Sequence, residues 1–261
     1  MSKSRSRVVS SFTIIKGSLI EETYAIFQKW NFSLSHTENL RRVKETNIIG
    51  ATSQNWLRDV AKVLNRRFDT AGRDRPLVEL AQAGCDRTVW HPLLLWHMTR
   101  DEFLLRDFLI HWLYPQYIEG TYRLHTDDIV PYLKSLSKQK DIEWSGTWSN
   151  ATTSRVASGL LRMAVDFSLV KGTQAREFGS YHLPEESLLY ILHAISETEP
   201  NAQRLVELPD WHMYLMDSAD VERELLRLHQ FHKLHYEVAG SLAQLKLPCA
   251  SVADYARELA A

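Results

Sequence analysis

The chain has 261 residues, of which 44% are hydrophobic and 24% charged, a composition typical of a globular protein with two or three packed subdomains. No segment reaches the run of about 18 apolar residues that spans a bilayer, and Cys85 and Cys249 match no metal-ligand spacing, so we expect a cytoplasmic protein with reduced thiols. The net charge of −1 hides an asymmetry, because residues 1–75 contain 14 basic and 7 acidic residues, whereas residues 185–261 contain 6 and 13. A basic N-terminal part predicts a polyanionic partner, although such surfaces also arise without one.

The N-terminal part begins with a short basic arm, SKSRSR, and continues with three helical patterns. The arm is typical of a frayed terminus, and the alternative is that it lies over phosphates. Apolar residues at helical spacing predict helices over about residues 17–30, 34–45 and 53–68, with serine or threonine available as N-caps for the second and third.

The second and third of these predicted helices carry the strongest basic surface in the chain. The third buries Leu57, Val60 and Leu64 on one side and presents cations about four residues apart on the other, a spacing that suits contacts along a phosphate backbone. The alternatives are a solvated helix face and cations that interact with the C-terminal end of the helix dipole. The candidate phosphate contacts are Arg41, Arg42, Lys44, Arg58, Lys62, Arg66 and Arg67.

Residues 76–119 predict three buried helices, whose aromatic residues lie among leucine and isoleucine and are expected in the core. Gly120 marks the expected boundary between the first and second regions of the chain. The pattern HTDDIVPYLKSLSK then predicts a helix that is entered through Thr126 or has its first turn near Pro131.

The stretch from Trp148 to Pro184 predicts a helix that starts near residue 152, followed by a short hairpin bracketed by glycines. This order resembles the recognition helix and wing of a winged helix-turn-helix. The alternative is an ordinary amphipathic helix that leads into a two-stranded connection. The candidate residues in or beside a DNA groove are Thr152, Thr153, Arg155, Arg162, Lys171 and Arg176.

Beyond Pro184 the patterns predict an acidic, helical tail, including one helix over about residues 220–239. His229 and His232 would then be neighbours on the helix, but His235 would point away from His229, so the three cannot converge on one metal and we expect no metal site. The chain contains no G-x-S-x-G, GxxxxGK[ST] or GxGxxG motif, so we expect no enzyme activity, cofactor or small-molecule substrate.

Several segments together resemble the BrxA family of BREX phage-exclusion systems, over roughly residues 14–255. The resemblance lies in the order and spacing of TSRVASGLLRMAVDFSLVKG, YHLPEESLLYILHAI, LPDWHMYLM and EVAGSLAQLKLPCASVADYA. It implies a compact, mostly helical fold that is partly similar to the NusB antitermination fold, and it implies binding of double-stranded DNA. It supplies no catalytic residues.

The sequence therefore predicts a mainly α, compact multi-helix protein with a winged helix-turn-helix-like subdomain and one small β-hairpin. We expect a basic NusB-like region over residues 1–120, a winged-helix-like region over 121–200, and an acidic helical region over 201–261 packed on the rest. The expected function is non-enzymatic binding of double-stranded DNA with little sequence specificity, alongside other BREX proteins. The alternatives are a protein-interaction adaptor that uses the acidic tail and, by analogy to NusB, RNA binding.

Overall fold

A computed structural model describes residues 7–139, 142–144, 146–240 and 242–261, so all of the predicted basic arm except Arg7 lies outside the described residues. The chain is mainly helical, as predicted, and its short strands pair in two-stranded sheets. In the described part, no helix combines the length and the apolar character that crossing a bilayer requires.

The described residues of the N-terminal part form one short strand and four helices, and the last two helices begin at serine caps. The Ser35 hydroxyl accepts a hydrogen bond from the Glu38 amide while the Glu38 carboxylate accepts one from the Ser35 amide, and Ser53 caps the fourth helix. These elements are β1 (Val8–Val9), α1 (Ser11–Lys16), α2 (Ile20–Gln28), α3 (His36–Thr46) and α4 (Gln54–Arg67).

The next segment forms the centre of the core. Trp90 is fully buried and its indole N–H donates to the Leu77 carbonyl at 3.1 Å. The expectation that the aromatic residues within 76–119 are core residues is confirmed, except that Tyr117 is 38% exposed. The elements are α5 (Arg75–Gln82), α6 (Arg87–Met98), α7 (Phe103–Phe108), a π-helical turn (Leu109–Leu113) and α8 (Tyr114–Ile118).

The third segment contains two packed helices and the predicted hairpin. The first helix begins at Thr126 rather than near Pro131, because the Asp128 carboxylate caps its entry by accepting from the His125 amide at 2.7 Å. The backbone of Leu124 also pairs with that of Arg176, beside the hairpin. The elements are α9 (Thr126–Leu136), β2 (Glu143–Trp144, parallel to β1), α10 (Asn150–Asp166), and the antiparallel strands β3 (Val170–Lys171) and β4 (Glu177–Phe178).

The C-terminal segment departs from the prediction at one place. The helix expected over residues 220–239 ends at Gln230, and a second hairpin follows, because buried Tyr236 alternates with outward-facing neighbours and Gly240 supplies a positive φ of 62° at the turn. The His229 and His235 rings consequently lie 5.2 Å apart instead of pointing away from each other. The elements are α11 (Glu185–Ser196), α12 (Ala202–Val206), a 3₁₀ helix (Pro209–Tyr214), α13 (Ser218–Gln230), β5 (His235–Ala239), β6 (Leu242–Lys246) and α14 (Val252–Leu259).

One hydrophobic core joins these segments. The helix α1 packs against α10, α2 packs against α5, and the C-terminal helix α14 packs against both α5 and α11. The acidic tail is thus packed on the rest of the chain, and the division at residues 120 and 200 stays a prediction.

Candidate nucleic-acid interface

The helix α4 has one apolar face and one basic face, as its sequence predicts. Val60 and Leu64 are buried, whereas Arg58 and Lys62, one turn apart, are exposed. Their side chains project from a rigid element and are available to an anionic partner.

Arg67 does not belong to this surface, so the prediction that it contacts phosphate is wrong. It is fully buried, and its guanidinium donates to the Glu102 carboxylate at 3.3 Å and to the carbonyls of Thr13, Gly17 and Ser18 at 2.9–3.0 Å. Burial lowers the pKa of Arg67 from its ordinary value while Glu102 opposes that change, and a guanidinium remains charged even so. Arg67 therefore holds the end of α1 against α4.

The other cations of α3 and α4 differ from one another in exposure and in the groups that they contact. Arg66 is half-buried and donates to the Val8 carbonyl at 3.1 Å, so part of its donor capacity is already used. Arg41 is exposed but lies 3.6 Å from the Glu45 carboxylate, Arg42 is half-buried, and Lys44 is exposed.

The short helix α1 supplies a basic and aromatic group of side chains that was not predicted from the sequence. The Lys62 ammonium lies 4.5 Å from the Phe12 ring centroid, and the Lys16 ammonium lies 5.5 Å from the same ring and 5.7 Å from that of Trp56. Lys16 also forms an ion pair with Asp59, which reduces its net charge. The i, i+4 spacing of Phe12 and Lys16 was the available signal, but six residues are too few to show a helical period.

The helix α10 packs on α1, which also contacts α4. A Cβ added to Gly159 would lie 2.8 Å from the Ile14 carbonyl oxygen, so only glycine permits this approach, and Gly159 is buried. The Arg162 guanidinium donates to the Ile15 carbonyl at 3.1 Å. Lys16, Trp56 and Arg162 therefore line one open cleft of about 390 Å³, and α1 packs against both α4 and α10.

We call this surface the α4–α1–α10 face. Its positive charge is reduced by Asp59 and by Asp166, whose carboxylate accepts from the Ser18 hydroxyl. Glu21 and Glu22 also line the cleft and reduce the charge further. Its outward side chains are Phe12, Lys16, Arg58, Lys62, Arg155, Ser158 and Arg162.

The predicted threonines at the start of α10 have a structural role. The Ser149 hydroxyl caps the helix by accepting from the Thr152 amide at 3.2 Å, and the Thr153 hydroxyl donates to the Ser149 carbonyl at 3.1 Å. Both threonines are half-buried, whereas Ser154 and Arg155 are exposed, so the outward stripe of α10 begins there.

The two predicted hairpin cations differ in exposure. Lys171 on β3 is exposed, whereas Arg176 is half-buried, donates to the Gln174 carbonyl at 3.0 Å, and has its pKa lowered by burial. Arg123, beside the hairpin, lies 3.4 Å from the Glu177 carboxylate and stacks on Tyr122 at 5.0 Å. The hairpin is consequently less basic than the α4–α1–α10 face.

A comparison with known protein families shows which family this chain belongs to. A family model described as BrxA matches residues 11–194, which is more than half of the 261 residues. The chain belongs to the BrxA family. The matched range of this BrxA-family chain contains α1, α4, α10 and the β3–β4 hairpin, whereas the β5–β6 hairpin lies beyond it. No curated protein matches the chain.

Membership of the BrxA family confirms the resemblance found in the sequence and indicates a component of a BREX phage-defence system. Other BREX proteins are compatible partners for such a component.

Proposed function

We propose that this BrxA-family protein is a non-enzymatic BREX accessory protein that binds double-stranded DNA through the α4–α1–α10 face. The observation that carries the proposal is the position of α1, which joins two basic helices that are about 100 residues apart in sequence. Lys16, Lys62 and Arg162 meet around it, and such a group of cations suits neighbouring phosphates of a duplex.

The order of elements supports a winged-helix interpretation of the α10 side. An extended residue, Leu124, precedes α9 and α10 and pairs with the hairpin that follows, as the first strand of a winged helix does. The outward stripe of α10 places Ser158 between Arg155 and Arg162, with Ser154 next to Arg155, and small side chains there allow a close approach to a groove. Because the cations outnumber the amide groups that read base edges, we expect little sequence specificity.

The test is binding of a labelled random duplex across a salt series, with a matched single strand and a matched RNA as competitors. We expect log affinity to fall linearly with log salt, and the Arg58→Glu/Lys62→Glu variant to show a slope that is shallower by about 1.8, which corresponds to two lost phosphate contacts. The matched control is Arg204→Glu/Arg223→Glu, which changes the net charge equally but on α12 and α13.

Equal weakening by both double variants would mean that only net charge matters and would remove the α4–α1–α10 face from the proposal. Preference for the RNA over the duplex would favour the NusB-like alternative.

A second candidate function, docking of another BREX protein, is favoured by exposed apolar residues of α13, its C-terminal end and the β5–β6 hairpin. Leu226, Phe231, Val238 and Leu242 are 45–74% exposed although each is large and apolar. Deleting residues 205–261 would not test this, because Tyr236 and Tyr255 are core residues. Val238→Ser/Leu242→Ser should instead lose a co-purifying BREX protein that the exposed-site control Tyr122→Ser retains.

A further inference from the structure

A cavity of about 430 Å³ lies between the end of α9 and the start of α10, and phosphate binding makes no use of it. Its size falls within the range of about 300–1,000 Å³ that is usual for small-ligand sites. Its charged, polar and aromatic lining residues are Lys134, Ser137, Trp144, Trp148, Asn150 and Thr153.

Two tryptophans form a corner of this cavity. The Trp144 and Trp148 ring centroids are 4.7 Å apart and their planes are inclined at 74°, and both side chains are half-buried. Pairing of β2 with β1 holds the backbone of Trp144 opposite Val9. The corner is therefore held by the sheet on one side and by the start of α10 on the other.

The indole N–H of Trp144 is buried and has no hydrogen-bond partner within the described part of the chain. A buried donor without an acceptor costs about 1–3 kcal/mol, so a ligand acceptor that the indole rotates to meet would stabilise the bound state.

The charge of the cavity restricts the ligand class. Lys134 is a cation in its wall, and the N-terminal end of the 17-residue helix α10 adds positive potential. None of the described side chains that line the cavity is a carboxylate. This environment opposes a cationic ligand and favours a planar, neutral ring with acceptor atoms and a neighbouring phosphate.

We propose that the cavity binds one unpaired nucleobase of the bound DNA. The base stacks in the corner of Trp144 and Trp148, a ring nitrogen or carbonyl accepts from the Trp144 N–H, and Lys134 lies near the flanking phosphate. The inference rests on the proposed function, because α10 brings the duplex to the cavity. It changes the expected substrate from a perfect duplex to a duplex with a bulge or an unpaired end.

The test compares a perfect duplex with one that carries a single bulged 5-iododeoxyuridine. Base stacking on an aromatic side chain predicts that the bulged duplex binds about 5- to 150-fold more tightly and, on irradiation, crosslinks to Trp144 or Trp148. Trp148→Ala should lose this preference while keeping the affinity for the perfect duplex. Trp144→Phe keeps a ring but removes the donor and should lose part of the preference. The control Phe231→Leu, at an exposed aromatic residue outside both clefts, should keep all of it.

The outcomes separate the two proposals. Failure to bind either duplex defeats the proposed function, whereas equal binding of the two duplexes by the folded wild-type protein defeats only the nucleobase site. Binding of free dAMP as tightly as the bulged duplex would overturn the DNA-linked form of the inference. If Trp148→Ala fails to fold by circular dichroism, Trp144→Phe and Lys134→Ala carry the test, and unchanged preference in both would overturn the site.

Discussion

Replacing Arg67 by methionine removes the buried guanidinium that joins α1, α4 and Glu102. Arg67 is fully buried and Glu102 is 2% exposed, so the carboxylate would be left in the core with the Thr13 hydroxyl as its near donor and Arg66 at 3.8 Å. The carbonyls of Thr13, Gly17 and Ser18 would each lose a donor.

The loss of unfolding free energy follows from these contacts. Removing one partner of a buried ion pair costs about 3–5 kcal/mol. Each orphaned carbonyl adds up to about 1 kcal/mol if water reaches it in part, and because the terms overlap we expect a total of about 4–6 kcal/mol.

The assay is urea unfolding followed by tryptophan fluorescence and circular dichroism. Arg66→Met, the neighbouring and half-exposed control, should lose less than about 1 kcal/mol. Arg67→Met/Glu102→Gln should recover a large part of the loss, because the carboxylate charge is removed while Thr13 keeps an acceptor. A loss for Arg67→Met as small as that of Arg66→Met would refute the buried role and return Arg67 to the surface.

Two further predictions concern packing and pH. Gly159→Ala should lose about 1–3 kcal/mol in the same unfolding assay, because its methyl group meets the Ile14 carbonyl, and should weaken duplex binding by separating α10 from α1; unchanged values would contradict the close packing. Burial lowers the pKa of His97 from its ordinary value near 6.5, although Asp74 opposes this change. The unfolded chain therefore binds more protons than the folded chain below that pH. The free energy of unfolding should consequently fall by up to about 1.4 kcal/mol per histidine as the pH is lowered from 7.5 to 5.5. His97→Gln should flatten this decline, and an identical decline in the variant would exclude His97 as its source.

The helices were predictable because their signals are local. Serine caps at positions 35, 53 and 149 and apolar residues at helical spacing define α3, α4 and α10 within a few residues. The β3–β4 hairpin was predictable from Gly172, whose φ of 107° suits the turn.

The prediction for Arg67 was wrong because it rested on the charge of the residue. Its position, three residues after Leu64 and seven after Val60, lies on the buried side of α4, but it was grouped with the arginines around it. The period of the helix was the better signal, and the compensating Glu102 is 35 residues away in sequence.

The second hairpin and the α1 contacts needed information that no local pattern contains. The segment around His235 suits a helix and a strand equally, and its pairing with Lys246 decides between them. Arg162 meets Ile15 across 147 residues, so the joining of two basic helices into one face appears only in the folded chain.

The central claim, that the α4–α1–α10 face contacts duplex DNA, is tested most directly by photo-crosslinking. A benzoylphenylalanine placed at Ser158, on the outward stripe of α10, should crosslink to a duplex in low salt, and one placed at exposed Gln230 on α13 should not. Crosslinking from Gln230 without crosslinking from Ser158 would contradict the account and place the nucleic acid on the C-terminal side of the molecule.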